Sequence, residues 1–496
     1  MNIFKDRFSE IKKASEPLYK SPKSVQETIE ILKVSESGIF EVADGKYSKT
    51  YRISDVNYAT RSEDEQESFF QRYCKCLNSF ACTFKITVNN KNKDMDVLRN
   101  EVMLKYRNDG FDKMRESYNR IIEEKILEGR QGIEQERYLT ITIERKNFEE
   151  AKAQFATIEA SMFRSFAELG SKLTPLTGNE RLKILHDYYR LGREDEFNFD
   201  IRQGRITGTD FRNEICNTRI KYHPDYFEDE GKVGRVLFIK KYPTYLSDRF
   251  FTELTFLPVH SVTSVDVVPV PKDLTMKMLQ KKYLGIESDI IKQQRTRNRN
   301  NDFSSDISYA TRQKKKDIEE IMNNVRENDE SLYYVSVTMI VMADNRDELE
   351  SICETVDSIA KGAGCAVDTC MYKQREAVNT TLPIGVRQIE TMRTMLTQSL
   401  AVLMPFNVQE LCERNGIYYG VNQISKNIIV GNRKKLLNGN GFIFGVSGAG
   451  KSFQAKMEMG SVLLSTDDNV IAVDPMNGAK RSYLKRVGAI FIKLYA

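Results

Sequence analysis

Several sequence features that would point to particular functions are rare or missing in this chain of 496 residues. Tryptophan is absent, and histidine occurs only at His186, His223 and His260. So few histidines argue against a Ser-His-Asp triad and against a His-based metal site. No apolar run reaches the roughly 18 residues that a membrane-spanning helix needs, which excludes such a helix within the sequence.

Charge of neither sign dominates, because 75 Lys and Arg face 70 Asp and Glu for a formal charge of +5. This balance excludes a histone-like, polybasic protein. The eight cysteines lack zinc-finger spacing, and no secretory signal is visible, so we expect reduced, mostly buried thiols in a cytoplasmic protein. A hydrophobic fraction of 40% is enough for large cores, and the length is enough for several domains.

Alternating and helical apolar patterns predict an α+β domain over residues 1–395. Strands are predicted at residues 29–32, 38–42, 47–53, 81–88, 137–143, 333–342 and 366–371. Helices are predicted at residues 62–77, 95–132, 148–169, 346–360 and 387–403. The order strand, helix, strand, helix occurs twice, which indicates two α+β halves.

A charged tract, predicted as a helical arm at about residues 281–328, separates the halves. Its basic residues include Arg295, Arg297 and Arg299, and acidic residues follow at 317–320. Two interpretations stay open, a solvated arm or a contact for DNA phosphates or a partner subunit. Aromatic side chains that could stack on bases are few there, which favours the solvated arm.

The most specific motif is G-x-x-x-x-G-K-[ST], the Walker A or P-loop pattern, at residues 445–452. The candidate nucleotide-binding residues are Gly445, Val446, Ser447, Gly448, Ala449, Gly450, Lys451, Ser452 and Phe453. We expect a strand at residues 442–444 before the loop and a helix at residues 453–464 after it. Strand, loop and helix in that order are the context that the motif requires.

Each fixed position of the motif has a physical reason. Glycines allow the backbone to curl so that its N–H groups face the phosphates of a nucleotide. Lys451 is expected to contact the β- and γ-phosphates, and the Ser452 hydroxyl to ligate Mg²⁺. The motif therefore predicts ATP and Mg²⁺ as cofactors, with Lys451 as a catalytic residue.

A second candidate catalytic residue is Asp474, at the carboxyl end of an apolar run over residues 469–473. Ligands bind at such strand ends in open α/β sheets. Asp474 follows Lys451 by only 23 residues (474 − 451), on the next strand in sequence, so it is not a safe candidate for the Walker B aspartate. A helix at 481–487 and a strand at 489–494 are expected to follow.

These features together resemble the ATPases of conjugative and type IV secretion systems, the CagE/TrbE/VirB class. The matching residues are Leu403-Met404-Pro405-Phe406, Gly416-Ile417-Tyr418-Tyr419-Gly420, the loop at 445–453 and Val473-Asp474-Pro475. The resemblance implies that residues 396–496 begin a RecA-like α/β domain. It also implies an ATPase that energises substrate transfer or pilus assembly.

The same resemblance implies where the protein works and with what. The family acts peripherally at the inner face of the cell membrane, with membrane channel components as partners. It forms homo-oligomers, hexamers in the family, and the complete protein can contact DNA.

Two departures from the family pattern shape the expectations. Met476-Asn477-Gly478-Ala479-Lys480 stands where the family carries an acid and an aromatic residue, and the Walker B strand of the family does not follow. We therefore expect a truncated ATPase domain that binds ATP weakly and hydrolyses it poorly alone. Two alternatives remain, a DNA translocase of the FtsK/HerA type and a non-catalytic docking fragment that lacks Walker B.

Overall fold

The computed structural model describes residues 22–92, 99, 102–128, 133–243, 245–299, 309–327, 329–413, 416–423, 427–473 and 490–492. A large antiparallel sheet with helices packed on it forms most of this structure. The α+β prediction for the first domain is confirmed. Every helix in these ranges is too short or too polar to cross a bilayer.

The strands have the following bounds. They are β1 (Lys33–Val34), β2 (Ile39–Ala43), β3 (Lys46–Ile53), β4 (Thr83–Asn92), β5 (Ile133–Glu144), β6 (Leu173–Pro175), β7 (Ile220–Tyr222), β8 (Phe227–Asp229), β9 (Lys232–Lys241), β10 (Ser261–Val270), β11 (Leu332–Ala343), β12 (Ala366–Thr369), β13 (Arg393–Leu396), β14 (Ile417–Val421), β15 (Ile428–Gly431), β16 (Ile471–Val473) and β17 (Ile490–Ile492).

The α-helices are interspersed with them. They are α1 (Glu63–Asn78), α2 (Asp112–Glu128), α3 (Phe148–Glu168), α4 (Gly178–Tyr189), α5 (Ile201–Thr207), α6 (Arg212–Ile215), α7 (Arg249–Thr255), α8 (Lys272–Arg299), α9 (Tyr309–Glu327), α10 (Arg346–Gly362), α11 (Gln374–Thr381), α12 (Thr397–Ala401) and α13 (Lys451–Ser465).

The large sheet consists of two halves with the same order of elements. Its strand order is β1-β2-β3-β5-β4 in one half, continued by β10-β11-β9-β8-β7 in the other, with β6 on β3 and β12 on β9. In each half, three strands lead to a helix, a central strand, a helical insertion, a second central strand, a long helix, a short strand and a further helix. The repeated order that the sequence predicts is therefore also present in the pairing of the strands.

The long helices of the two halves begin with the same type of N-cap. Asn147 precedes α3 and Asn345 precedes α10, and each side chain accepts the backbone N–H of a glutamate three residues later, at 2.9 Å. An Asn cap satisfies a donor that the first turn of a helix leaves without a partner. The two halves therefore share these capping residues as well as their topology.

The halves join through β4 and β10, which pair antiparallel from Ser261↔Asn90 to Val267↔Phe84. At the middle of this junction the hydroxyls of Thr87 and Ser264 are 2.8 Å apart. One sheet therefore crosses the whole first domain.

The main core lies between this sheet and helices α1, α3, α7 and α10. Phe84, Leu139, Val265 and Val337 point into it from the four central strands and are buried. Burial of such side chains is the main source of stability for a layered fold. The five buried cysteines and the three partly buried ones are all free thiols, as predicted.

The opposite face of the central strands is polar, and residues 382–392 cross it without helical or strand structure. Ser48 Oγ donates to the Ile384 carbonyl at 2.6 Å, and Thr142 Oγ1 donates to the Gly385 carbonyl at 3.0 Å. Buried Lys85 donates to the Val386 carbonyl at 3.1 Å. These bonds hold residues 384–386 against the polar face of the sheet.

The helix predicted over residues 387–403 is wrong for most of its length. Residues 393–396 form β13, which pairs with β11, and only residues 397–401 are helical. Arg387 instead makes a two-bond ion pair with Asp266, at 2.5 and 2.8 Å. The boundary predicted after residue 395 falls within β13, and Leu400, Met404 and Phe406 pack in the main core.

The charged arm consists of α8 and α9, as the sequence predicts for residues 281–328. The two helices pack on each other, and Lys315 Nζ bonds Glu287 Oε1 at 3.0 Å. Leu284 is 62% exposed on α8, beside the exposed lysines Lys277 and Lys281. The arm lies between β10 and β11 in the chain. The smaller helical insertion of the first half lies at the equivalent position, between β4 and β5.

Candidate nucleotide-binding site

The loop at residues 445–450 has the backbone shape that its glycines predict. Gly448 and Gly450 both have φ of +83°, in the left-handed region that side chains other than glycine adopt only with strain. Gly445 has a different constraint, because a Cβ there would lie 3.2 Å from the Ala449 Cβ and 3.3 Å from the Lys451 Cγ. Side chains at these positions would therefore strain or spread the loop.

The Lys451 side chain holds the two ends of the loop together. Its ammonium group donates to the Gly445 carbonyl at 2.8 Å and to the Val446 carbonyl at 2.7 Å. The positive charge thus lies against the loop backbone, where a phosphate group would be bound. The role of Lys451 as the cation for the β- and γ-phosphates stays a prediction.

Helix α13 begins at Lys451, directly after the loop. Its N-cap is Gly450, which offers no side-chain acceptor, and its first turn has no acidic residue. The first N–H groups of a helix lack helical partners and carry its positive dipole end, so they attract anions. Ser452 is exposed in this first turn, which leaves its hydroxyl accessible to a metal ion.

The strand predicted at residues 442–444 is not formed, and this prediction is wrong. Phe442 and Phe444 are 83% and 86% exposed, and their rings stack with centroids 5.7 Å apart. A strand needs a hydrogen-bonded neighbour. In the part of the chain that the structure describes, β16 pairs in parallel with β17, and neither pairs with residues 442–444.

The remaining predictions around the site have mixed outcomes. The helix predicted at residues 453–464 is present as part of α13, and β16 occupies residues 471–473 of the predicted strand. Asp474 and the predicted helix at 481–487 lie outside the described residues. Within the described ranges, no group of three His, Cys, Asp or Glu side chains could hold a metal ion. Ser452 stays the predicted Mg²⁺ ligand.

Side chains that the motif does not include hold α13 from the side. Glu458 accepts a hydrogen bond from the Tyr419 hydroxyl at 3.0 Å and pairs with Arg433 at 2.8 Å. Tyr419 lies on β14, which forms a hairpin with β15. This hairpin therefore fixes the middle of the helix that follows the loop.

Two arginines from the first domain contact the far end of α13. Arg107 and Arg115 lie in the insertion between β4 and β5, about 350 residues before the helix in sequence (465 − 115). No local pattern in the sequence marks them as part of a nucleotide site. They were missed because only the fold brings them to α13.

Comparison with known proteins adds no family assignment. No protein-family model and no curated protein matches the sequence. The candidate site therefore stands on its motif and on the loop geometry.

Proposed function

We propose that the protein is an ATP-binding motor component of a conjugative or type IV secretion system. The observation that carries the proposal is the loop at 445–452, with left-handed Gly448 and Gly450, an inward Lys451 and a helix N-terminus behind them. The loop supports ATP binding, and the resemblance to the CagE/TrbE/VirB class is the reason for proposing a conjugative or type IV secretion system. A RecA-like continuation of the nucleotide domain belongs to the same proposal.

The site would bind Mg-ATP through the groups that it presents. The loop N–H groups and the start of α13 would hold the phosphates, and Lys451 would neutralise the β- and γ-phosphates. Ser452 would contribute one ligand to Mg²⁺. The metal ion would supply charge neutralisation at the phosphates when bound.

The proposed setting is the inner face of the cell membrane, with membrane channel components as partners and a homo-oligomer as the working form. Ring motors commonly complete each site with an arginine from the neighbouring subunit. We therefore expect slow ATP turnover by the isolated chain. Asp474 is the first acidic residue to test for a catalytic role.

A DNA translocase is the second candidate, and the charged arm supports it. Lys277, Lys281 and Lys282 are exposed on α8 and could contact phosphates of a duplex. The leading function does not require such contacts.

The two candidates predict different responses to DNA. For the secretion ATPase, saturating duplex DNA should leave the ATP turnover of the purified chain within about twofold of its basal value. A translocase should be strongly stimulated, and the variant Lys281→Glu/Lys282→Glu should lose that stimulation and its salt dependence. A coupled phosphate-release assay measures both, with Lys451→Ala as the blank for contaminating ATPases. Strong stimulation would replace the leading function by the translocase.

A further inference from the structure

The far end of α13 is held by the insertion of the first half of the sheet. Arg107 Nη2 donates to the Ser465 carbonyl at 2.8 Å, and Nη1 bonds Asp467 Oδ1 at 2.7 Å. Arg115 Nε donates to the Leu464 carbonyl at 3.1 Å. Two guanidinium groups thus occupy the last turn of the helix that starts at the phosphate-binding loop.

Arg115 is built rigidly into this contact. Its side chain is 1% exposed and bonds both carboxyl oxygens of Asp109, at 2.6 and 2.5 Å, and Asp112 at 2.7 Å. These hydrogen bonds hold the pKa of Asp109 well below its usual range. Asp112 also accepts the backbone N–H of Arg107 at 3.0 Å, which lowers the pKa of Asp112. Asp112 therefore links the backbone of Arg107 to the side chain of Arg115, and the two arginines are here called the clasp.

The clasp suits the end of a helix for two reasons. The last carbonyl groups of a helix have no helical partners, and they carry the negative end of the helix dipole. Arginine donors satisfy both the hydrogen bonds and the charge. Removing them would leave the carbonyls of Leu464 and Ser465 without these donors. It would loosen the C-terminal turn of α13 from the insertion, which would then hold α13 through Tyr118 and Ser461.

Fixing this end also fixes the loop, because a helix is close to a rigid rod. The 15 residues of α13 lead directly from Ser465 back to Lys451. At about 1.5 Å per residue, the clasp and the loop lie about 20 Å apart on one element. A tilt permitted at the clasp would displace the first-turn N–H groups and Lys451.

We propose that Arg107 and Arg115 are positioning residues for the phosphate-binding loop, acting through α13. The inference rests on the proposed function, since it assigns to the first domain a part in nucleotide affinity. The coupling between the clasp and the nucleotide must be reciprocal. If the clasp raises nucleotide affinity by some factor, bound nucleotide stabilises the clasp by the same factor.

The test is equilibrium binding of a fluorescent ATP analogue to the full chain in the presence of Mg²⁺. Arg107→Ala should raise the Kd about 3- to 10-fold, less than the full loss of a charged hydrogen bond, because the change acts on the loop only through α13. The Kd of Arg107→Lys should lie between those of wild type and Arg107→Ala, because lysine keeps the positive charge at the end of the helix. Arg120→Ala, which removes an exposed arginine of α2 that is not part of the clasp, should bind like wild type.

A second variant separates positioning from loss of folding. Asp467 is 97% exposed, so Asp467→Lys should leave the Tm without nucleotide unchanged. Its charge should repel Arg107 while favouring the helix dipole, and we expect a Kd raised about threefold. Unchanged affinity in Arg107→Ala and Asp467→Lys, with normal binding by wild type, would overturn the positioning role alone. No binding by wild type would overturn the proposed function together with this inference.

Discussion

Replacing Lys451 with alanine is expected to weaken Mg-ATP binding by about 10- to 100-fold. The change removes hydrogen bonds from a charged group to the phosphates, each worth about 1.5 to 3 kcal/mol. It also removes the two bonds that join Lys451 to the carbonyls of Gly445 and Val446. Isothermal titration calorimetry on the full chain measures this loss directly.

A matched control for this experiment is Lys435→Ala. Lys435 is an exposed lysine of the same region, and its contact with Glu413 is 3.7 Å long. Surface pairs of this kind contribute little, so the control should bind Mg-ATP like wild type. Equal affinity in wild type and Lys451→Ala would remove the basis for the nucleotide site.

The largest effect on stability is expected from Arg181→Met, at about 3 kcal/mol or more of unfolding free energy. The guanidinium is buried and donates to the carbonyls of Gly38 at 2.8 Å, Ser48 at 2.9 Å and Pro383 at 3.2 Å. It also lies 3.8 Å from the centre of the Phe40 ring. Methionine would fill part of the volume but remove the guanidinium donors from these buried carbonyls. The Pro383 carbonyl would keep only the longer bonds from Thr50 and Thr140, at 3.3 and 3.4 Å.

Thermal unfolding followed by circular dichroism checks this prediction. The Tm of Arg181→Met should fall by on the order of 5 °C or more. Arg205→Met, an exposed arginine on the neighbouring helix α5, should change the Tm by less than about 1 °C. Equal Tm values for the two variants would show that Arg181 does not join the sheet to the segment crossing it.

Much of the first domain was predictable because its strands and helices carry regular apolar patterns. Tyr138 to Ile143 alternate along β5, and the N-cap Asn147 marks the start of α3. The helix prediction fails over residues 387–392 because their conformation depends on sheet residues far away in sequence. Arg387 pairs with Asp266, and the Thr391 hydroxyl bonds to that of Ser336. The apolar residues 442–444 predict a strand by their composition. A strand also needs a neighbouring strand to pair with, and a local pattern does not show whether one is present.

The candidate site was predictable to the extent that it is local. The loop residues are contiguous, and the positive φ angles of Gly448 and Gly450 follow from the glycines themselves. The contacts on α13 are not local. Glu458 contacts the β14–β15 hairpin, and Leu464 and Ser465 contact Arg115 and Arg107 from the insertion between β4 and β5. Only the tertiary structure reveals those partners.

Hydrogen–deuterium exchange of peptides covering residues 445–454 tests most directly that this loop binds the phosphates. Mg-ATP should slow exchange in these peptides, AMP at equal concentration should not, and the protection should disappear in Lys451→Ala. Unchanged exchange in these peptides at saturating Mg-ATP, or equal protection by AMP, would contradict a phosphate site at residues 445–452.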